Sequence, residues 1–359
     1  MTKSSPALPV ASLANIEEST KATAILTRIA KSLAKSLQTW YQANRRDLPW
    51  RQDQNPYLIW ISEVMLQQTT VAAVIPYFER FVIRFPDVHT LAKAELSEVL
   101  EHWAGLGYYS RARLLHLSAK ALCQQDFPQK AELLLKLPGF GPYTSRAVAS
   151  LAFGQRVGVL DGNVIRVLCR VMGFKVRWWQ TAERVKLQEI ADLFVQSGSP
   201  SAINQGLMEL GATVCTPKNP LCILCPWNTQ CVARKEDKIE QLPLKRPRKK
   251  IEFWIWKPEL HVKKDKVLLV ENNYAPFLKK QMLFPGTIQE SPKKPKKFDA
   301  RHSITHHDIY IQIAKKINYP LTNRTAGNLE HKWVAIKNLK SVNPSSLLQK
   351  VIQAGKKMI

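Results

Sequence analysis

A glycine turn between two predicted helices constrains the fold of this chain more than any other segment. Residues 137–144 read LPGFGPYT, and the pattern predicts a helix that ends on the turn and a second helix that begins near Tyr143. Gly139 and Gly141 lack a Cβ atom, so both can adopt positive φ and allow another backbone to approach closely. Backbone N–H groups at the start of a helix bind anions, and nucleic-acid phosphates suit such a site. An ordinary surface loop with a helix cap is the alternative, and this segment alone does not decide between the two.

The charge balance indicates a polyanionic partner. The sequence holds 53 Lys and Arg against 28 Asp and Glu, a formal net charge of +25. Nucleic acid is the simplest such partner, whereas a membrane is disfavoured because the chain lacks an apolar run of about 18 residues. Residues 1–26 resemble no secretion signal and are interpreted as a loose N-terminal tail. We therefore expect a cytoplasmic, nucleoid-associated protein.

Apolar periodicity predicts helices over the first two-thirds of the chain and a mixed architecture after them. The predicted helices cover residues 27–44, 57–78, 92–103, 110–123, 130–137, 143–153, 164–171 and 181–196. A basic, proline-containing segment at 236–250 is interpreted as a linker. Beyond it, strands are predicted at 251–255, 266–271, 308–313 and 332–336, followed by a helix at 345–354. The sequence thus predicts a multi-domain protein, with an all-α domain at 27–235 and an α+β domain at 251–359.

Four of the six cysteines form a C-x6-C-x2-C-x5-C set typical of a metal centre. They are Cys215, Cys222, Cys225 and Cys231. Zinc modules more often use two C-x2-C pairs, so the spacing favours a [4Fe–4S] cluster while zinc stays open. The loop between the first two ligands carries Lys218, which we expect to face phosphate. Cys123 and Cys169 are interpreted as small core residues.

Several segments together resemble the helix-hairpin-helix DNA glycosylases of the endonuclease III superfamily, and most closely the MutY-type adenine-specific branch. The segments are LPWR at 48–51, WISEVMLQQT at 60–69, GLGYYSRAR at 105–113, LPGFGPYT at 137–144, LDGNV at 160–164 and the four cysteines. The resemblance implies an all-α core of two lobes with a cleft between them. It also implies one [4Fe–4S] cluster on the loop 215–231, held by the four cysteines.

Excision of a purine requires an acid that protonates the base and a carboxylate beside the developing sugar cation. The resemblance implies that Glu63 is the acid, that Asp161 is the carboxylate, and that Asn163 orients its neighbours by hydrogen bonds. From the residues alone, the favoured interpretation of Glu63 is a helix glutamate at the edge of a buried face. Asp161 could likewise be a helix N-cap, and it could serve both roles. Tyr143 occupies the position of a Schiff-base lysine in the endonuclease III branch. A phenol cannot form an imine, so the reaction is predicted to stop at an abasic site.

A base inside a duplex must leave the stack before it can react. The resemblance places Gln68, Thr69, Leu106 and Tyr108 at the wedge that opens the duplex, and Arg51 against the extruded adenine. A core tyrosine and a polar helix end are the alternatives for Tyr108 and Gln68.

The C-terminal domain resembles the Nudix-like domain with which MutY proteins recognise 8-oxoguanine. The resemblance rests on LFPG at 283–286 and RHSITH at 301–306, and it assigns Thr305 and His306 to the damaged base. The acidic, magnesium-binding Nudix signature is missing, so nucleotide hydrolysis is not expected.

Two departures from the family pattern concern basic residues. Ser145 and Arg146 stand where small residues are usual, and Arg146 is expected either to contact phosphate or to face solvent. The basic loop 293–297 is interpreted as a solvated, non-specific phosphate contact.

The sequence thus predicts a monofunctional, monomeric DNA glycosylase of base excision repair. Its expected substrate is duplex DNA with adenine opposite 8-oxoguanine or guanine, from which it releases adenine by hydrolysis. Other mismatch or oxidised-pyrimidine glycosylases of the same superfamily are the first alternative. A non-catalytic lesion-binding protein is the second, and an electron carrier built around the cluster is the third.

Overall fold

A computed structural model describes residues 20–247, 249–314, 331–343 and 345–356. The chain divides into two compact units, with the boundary between Arg246 and Pro247. Among the described residues, no helix is long and apolar enough to cross a membrane.

The first unit is built from twelve α-helices within its described residues, which confirms the predicted all-α core. They are α1 (Thr20–Asn44), α2 (Pro56–Met65), α3 (Val71–Arg84), α4 (Val88–Lys93), α5 (Leu96–His102), α6 (Tyr109–Leu122), α7 (Ala131–Leu134), α8 (Pro142–Phe153), α9 (Gly162–Met172), α10 (Thr181–Val195), α11 (Pro200–Thr213) and α12 (Val232–Lys235). Short 3₁₀ helices lie at Pro49–Arg51, Cys222–Leu224 and Ile239–Gln241.

Three boundary predictions in this unit are wrong. Residues 20–26 belong to α1 rather than to a loose tail, while residues 1–19 lie outside the described part of the chain. The predicted linker begins too early, because Arg170 donates hydrogen bonds to the carbonyls of Ile239 and Leu242 and so holds this segment on the first unit. The helix predicted at 92–103 is two helices, α4 and α5, separated by extended backbone at Ala94 and Glu95.

The predicted helix 57–78 is also wrong, since α2 ends at Met65 and α3 begins at Val71. The Arg111 guanidinium donates to the carbonyls of Val64 and Gln67, each at 2.7 Å. These bonds satisfy acceptors that a helix end leaves without partners. Gln68 then turns the chain with a φ of +60°.

Two separate apolar cores divide the helical unit into two lobes. One core collects residues between Leu48 and Leu151, where the rings of Trp60 and Phe140 stack with centroids 5.2 Å apart. The other collects residues of α1, α9, α10 and α11 together with Trp227. This arrangement matches the two-lobed core that the sequence predicts.

The second unit contains two small sheets and two helices in its described residues. Its strands are β1 (Glu252–Pro258), β2 (Val262–Lys263), β3 (Lys266–Glu271), β4 (Met282–Leu283), β5 (Gly286–Ser291), β6 (Ala300–Ile304), β7 (His307–Ile311) and β8 (His331–Ala335); its helices are α13 (Leu339–Val342) and α14 (Ser346–Ala354). One sheet has the order β5-β1-β7-β6, with β1 and β7 parallel, and β3 pairs with β2, β4 and β8 in the other.

All four predicted strands and the closing helix are present, but four further strands were missed. β2 and β4 have only two residues each. β5 and β6 contain no fully buried residue, so they lack the apolar alternation from which a strand is recognised.

Candidate active site

A cleft of about 1260 Å³ lies in the helical unit, with walls from both lobes. It is lined by residues of α2, the turn after α2, the start of α8, the start of α9, and α11. Glu63, Tyr143, Asp161 and Asn163 all line this cleft, although they come from distant parts of the sequence. The structure therefore brings together the four residues that the sequence proposed for chemistry.

Glu63 lies in the wall of the cleft with 5% of its surface exposed. Burial raises the pKa of its carboxyl to about 7, while the Tyr143 hydrogen bond lowers it, the Asp161 charge raises it and the Arg51 charge lowers it. The Tyr143 hydroxyl donates to Glu63 Oε2 at 2.6 Å. Burial, followed by the charges of Glu63 and Asp161, raises the pKa of Tyr143 well above its usual value. A neutral phenol thus faces a carboxyl that is half protonated near neutral pH.

Asp161 is the N-cap of α9 and also lines the cleft. Its Oδ1 accepts from the backbone N–H of Val164 at 2.7 Å, and its Oδ2 accepts from Asn163 Nδ2 at 2.9 Å. Burial raises the pKa of Asp161, and these two hydrogen bonds oppose the shift. The carboxylate therefore caps the helix while it faces the cleft, so the two interpretations from sequence are compatible.

Glu209 is a site residue that the sequence analysis missed. It lies on α11, which was not predicted, and it is fully buried. Its carboxylate accepts from Arg46 Nε at 2.6 Å and from Arg51 Nη2 at 2.9 Å. Burial acts to raise the pKa of Glu209, but the bonds and charges of the two arginines outweigh it and lower the pKa. The sequence signal that could have revealed Glu209 is a single acidic residue within the apolar run of α11.

Arg51 lines the cleft, where an ion pair holds its side chain. Its side chain is 11% exposed and is ion-paired with Glu209. Because the guanidinium also lowers the pKa of Glu63, its position contributes to the electrostatics of the acid.

The glycine turn is present, but its two glycines differ in conformation. Gly139 has a φ of +76°, and a Cβ atom there would meet Leu114 Cβ at 2.8 Å. Gly141 instead has a φ of −82° and is the N-cap residue of α8, with open space beside it. The expectation of positive φ and close approach is therefore correct for Gly139 and wrong for Gly141. Both residues line the cleft.

The Arg146 side chain does not extend freely into solvent, because its guanidinium is bonded within the helical unit. Its Nε donates to the Gly158 carbonyl at 2.8 Å, and its Nη2 pairs with Asp192 of α10. The residue ties α8 to α10. Ser145 is buried, and its hydroxyl donates to the Gly141 carbonyl at 3.0 Å.

The residues proposed for the wedge fall into two groups. Gln68 and Tyr108 are exposed at left-handed turns, with φ of +60° and +48°, and Thr69 lines the cleft. Leu106 is 7% exposed and packs in the core, so its side chain does not project from the surface.

The four proposed metal ligands line one small cavity. Cys215, Cys222, Cys225 and Cys231 share it with Arg170 and Asn228. Arg170 Nη1 lies 3.4 Å from Cys215 Sγ, and the N–H of Trp227 lies 3.4 Å from Cys225 Sγ. Lys218 is exposed on the loop between the first two cysteines. Cys169 is buried, as predicted for a core residue, whereas Cys123 is only partly buried at the edge of a core.

In the second unit, Thr305 and His306 form the turn between β6 and β7. Thr305 is exposed with a φ of +55°, and its hydroxyl lies 3.2 Å from His306 Nδ1. The lysines of loop 293–297 are exposed, and the loop is fixed by backbone carbonyls that accept from Ser291 and Gln312.

Comparison with known proteins places this geometry in a family. Residues 61–191 match the family described as HhH-GPD superfamily base excision DNA repair protein. The adenine DNA glycosylase of Buchnera aphidicola subsp. Schizaphis graminum is 34% identical over 339 residues, which cover 88% of this chain and 96% of that relative. The chain belongs to the adenine DNA glycosylase family. The human adenine DNA glycosylase is 47% identical over 219 residues, but the match spans only 40% of its length.

Among solved structures, a thermostable thymine-DNA glycosylase has the same helical fold. The two chains superpose with a TM-score of 0.53 at 29% sequence identity, and the match covers 60% of this chain and 99% of the other. This adenine DNA glycosylase family member therefore shares the fold of its helical unit with a protein named as a thymine-DNA glycosylase.

Proposed function

We propose that the chain is a monofunctional adenine DNA glycosylase of base excision repair that acts on duplex DNA in the cytoplasm, in association with the nucleoid. Its substrate is adenine opposite 8-oxoguanine or guanine, and its product is an abasic site. The observation that carries the proposal is the pairing of Glu63 and Asp161 in one cleft, with the pKa of Glu63 raised by burial to about 7.

Glu63 supplies the proton in this proposal. Because Oε2 accepts the hydrogen bond from Tyr143, the neutral form of the carboxyl carries its proton on Oε1. A general acid works best when its pKa lies near the working pH. Protonation of a ring nitrogen of adenine turns a poor anionic leaving group into a neutral one, and the C–N glycosidic bond can then break.

Asp161 stabilises the positive charge that develops on the sugar. Two donors, the Val164 N–H and Asn163 Nδ2, fix its carboxylate before the reaction begins. A preorganised charge of this kind stabilises a transition state without reorganisation. Both electrostatic stabilisation and a transient bond to the sugar carbon are compatible with its place in the cleft.

Tyr143 limits the reaction to base removal. Its phenol donates to Glu63 and offers no amine for an imine with the abasic sugar. We expect borohydride to trap no stoichiometric enzyme–DNA adduct, and abundant trapping would contradict the monofunctional assignment.

The cleft volume of about 1260 Å³ supports binding of an extruded base, as chemistry on a base within a duplex requires. Around it we assign DNA contacts to exposed or cleft-lining residues: Arg51, Gln68, Thr69, Tyr108, Gly139, Gly141 and Lys218. The net charge of +25 favours the phosphate backbone of such a substrate.

We assign a [4Fe–4S] cluster to the cavity lined by the four cysteines. A single zinc ion with Zn–S bonds of about 2.3 Å would draw its sulfurs within about 4 Å of one another. Among the described residues, no three of the cysteine sulfurs lie within 4.8 Å of one another. The bound cluster would crosslink the loop that carries Lys218, and analysis of iron and acid-labile sulfide against zinc in the purified protein tests the assignment.

We assign lesion recognition to the second unit, which we interpret as Nudix-like. Thr305 and His306 lie at an exposed turn, where a DNA base can reach them. Thr305→Ala should lower the preference for 8-oxoguanine:A over G:A in base release. Unchanged discrimination would mean that Thr305 serves only the turn.

The decisive experiment identifies the released base from a panel of duplexes. Single-turnover release is measured on 8-oxoguanine:A, G:A, T:G and thymine glycol duplexes. The similarity to a thymine-DNA glycosylase makes thymine release the specific competitor. Faster release of thymine or thymine glycol than of adenine would overturn the proposal, and binding without any release would favour a non-catalytic lesion-binding protein.

A further inference from the structure

Three side chains with metal-binding chemistry converge at one end of a sheet in the second unit. Strands β6 and β7 are joined by the two-residue turn Thr305–His306, with Ile304 opposite His307. The parallel neighbour β1 places Glu252 in register with His307. Consecutive side chains on a strand point to opposite faces, yet here the rings of His306 and His307 have centroids only 4.0 Å apart. The turn therefore directs both rings toward the Glu252 carboxylate.

The hydrogen bonds of Thr305 define the state of the His306 ring. The Thr305 hydroxyl donates its proton to the Ile304 carbonyl at 2.7 Å. Its oxygen can then only accept from His306 Nδ1, which lies 3.2 Å away. In a neutral ring with its proton on Nδ1, the lone pair is on Nε2. That nitrogen lies 3.5 Å from Glu252 Oε1.

The Nδ1 atom of His307 is buried, and no hydrogen bond of standard geometry reaches it from the residues that the structure describes. Glu252 Oε2 lies 2.9 Å from this atom, within ion-pair distance. A buried polar atom without a hydrogen bond destabilises a fold. Glu252, His306 and His307 each offer one possible ligand atom, and these three atoms lie within 4.8 Å of one another. A cation between them could therefore bind two imidazole nitrogens and one carboxylate oxygen.

We propose that Glu252, His306 and His307 bind one divalent transition-metal ion of the zinc type. Imidazole nitrogens and a carboxylate oxygen form a ligand set that Zn²⁺ accepts, whereas Mg²⁺ and Ca²⁺ prefer oxygen ligands. Three protein ligands leave a fourth position for water.

The second layer of contacts fits the same site. Trp254 Nε1 donates to Glu252 Oε2 at 3.1 Å, and the bond between His306 Nδ1 and Thr305 orients the other imidazole. Outer hydrogen bonds of this kind orient metal ligands.

Metal binding would fix the turn that presents Thr305. It would also occupy Nε2 of His306, so the imidazole could not contact a DNA base through that atom while the ion is bound. The metal site does not depend on glycosylase activity, because all of its ligands lie in the second unit.

The test titrates the full chain with Co²⁺ and then Zn²⁺ in the absence of DNA, after the metal at the cysteines has been quantified. We expect one additional equivalent of Co²⁺ whose spectrum lacks thiolate-to-cobalt charge transfer, and its displacement by Zn²⁺. Glu252→Gln and His307→Asn should each weaken binding at least about 10-fold, since loss of even an outer hydrogen bond costs that much. His331→Asn, at an exposed histidine of β8 outside the group, is the matched control and should bind as the wild type does.

Circular dichroism verifies that each variant is folded. The site would be refuted if the wild type bound no ion of this spectral type, or if a His306→Asn, His307→Asn double variant bound it with unchanged affinity. In both cases the three side chains would form only a carboxylate–imidazole cluster.

Discussion

Glu63→Gln should stabilise the helical unit at alkaline pH, because the wild-type carboxyl is buried at the expense of stability. The folded protein holds its pKa at about 7, against an ordinary value of 4.5. Below pH 4.5 the carboxyl is protonated in both the folded and the unfolded chain, so it has no effect on the free energy of unfolding. Between these values the unfolded chain releases the proton and the folded chain retains it. Stability is therefore lost progressively as pH rises toward 7.

The full effect above pH 7 is about 3 kcal/mol, since each pKa unit corresponds to about 1.4 kcal/mol. Glutamine has a similar shape and no charge, and its amide oxygen can still accept from Tyr143. The variant should thus match the wild type in stability near pH 4.5 and exceed it by up to about 3 kcal/mol at pH 8.

Urea denaturation followed by helical circular dichroism measures this difference, because most helices lie in the first unit. The matched control is Glu101→Gln, an exposed carboxyl on α5, which should change stability by less than about 0.5 kcal/mol. A Glu63→Gln effect that is independent of pH, or destabilisation at pH 8, would refute the argument that burial holds the proton on Glu63.

Three other substitutions test separate contacts. Asp161→Asn should lower the rate of single-turnover excision by orders of magnitude. Its stability should be nearly unchanged, because Asn caps a helix as well as Asp does. An excision rate near that of the wild type would show that Asp161 does not stabilise the transition state. Tyr143→Phe should move the alkaline limb of the pH–rate profile to higher pH by about 1–2 pH units. The substitution removes a hydrogen bond of about 1.5–3 kcal/mol that lowers the pKa of Glu63. A shift of the limb to lower pH would contradict this. Arg111→Met should destabilise the helical unit by about 2–3 kcal/mol, because the carbonyls at the end of α2 lose their hydrogen bonds. The control is Arg113→Met at an exposed position of α6. An equal loss of stability in this control would argue against specific capping of α2 by Arg111.

The sequence predicted the elements whose signal is local. The glycine turn at 137–144 and the helices that follow it depend on residue types close together in the chain. β3 was predicted at its observed bounds because four of its six residues are buried. The strands β5 and β6 were missed because neither contains a fully buried residue.

The parts that were not predicted depend on contacts distant in sequence. Arg111 ends α2 from 44 to 47 residues away, so the helix 57–78 looked continuous. Glu209 reaches Arg46 and Arg51 across 163 and 158 residues. Arg146 was interpreted as a solvent or phosphate contact because its partner Asp192 lies 46 residues away. Local patterns carry no information about such pairs.

The most direct test of the catalytic assignment is the single-turnover release of adenine by wild type and Glu63→Gln, with duplex binding measured in parallel. The assignment predicts that the wild-type rate falls as pH rises through about 7 and that the variant binds the 8-oxoguanine:A duplex but releases no adenine. Adenine release by Glu63→Gln at the wild-type rate would contradict it.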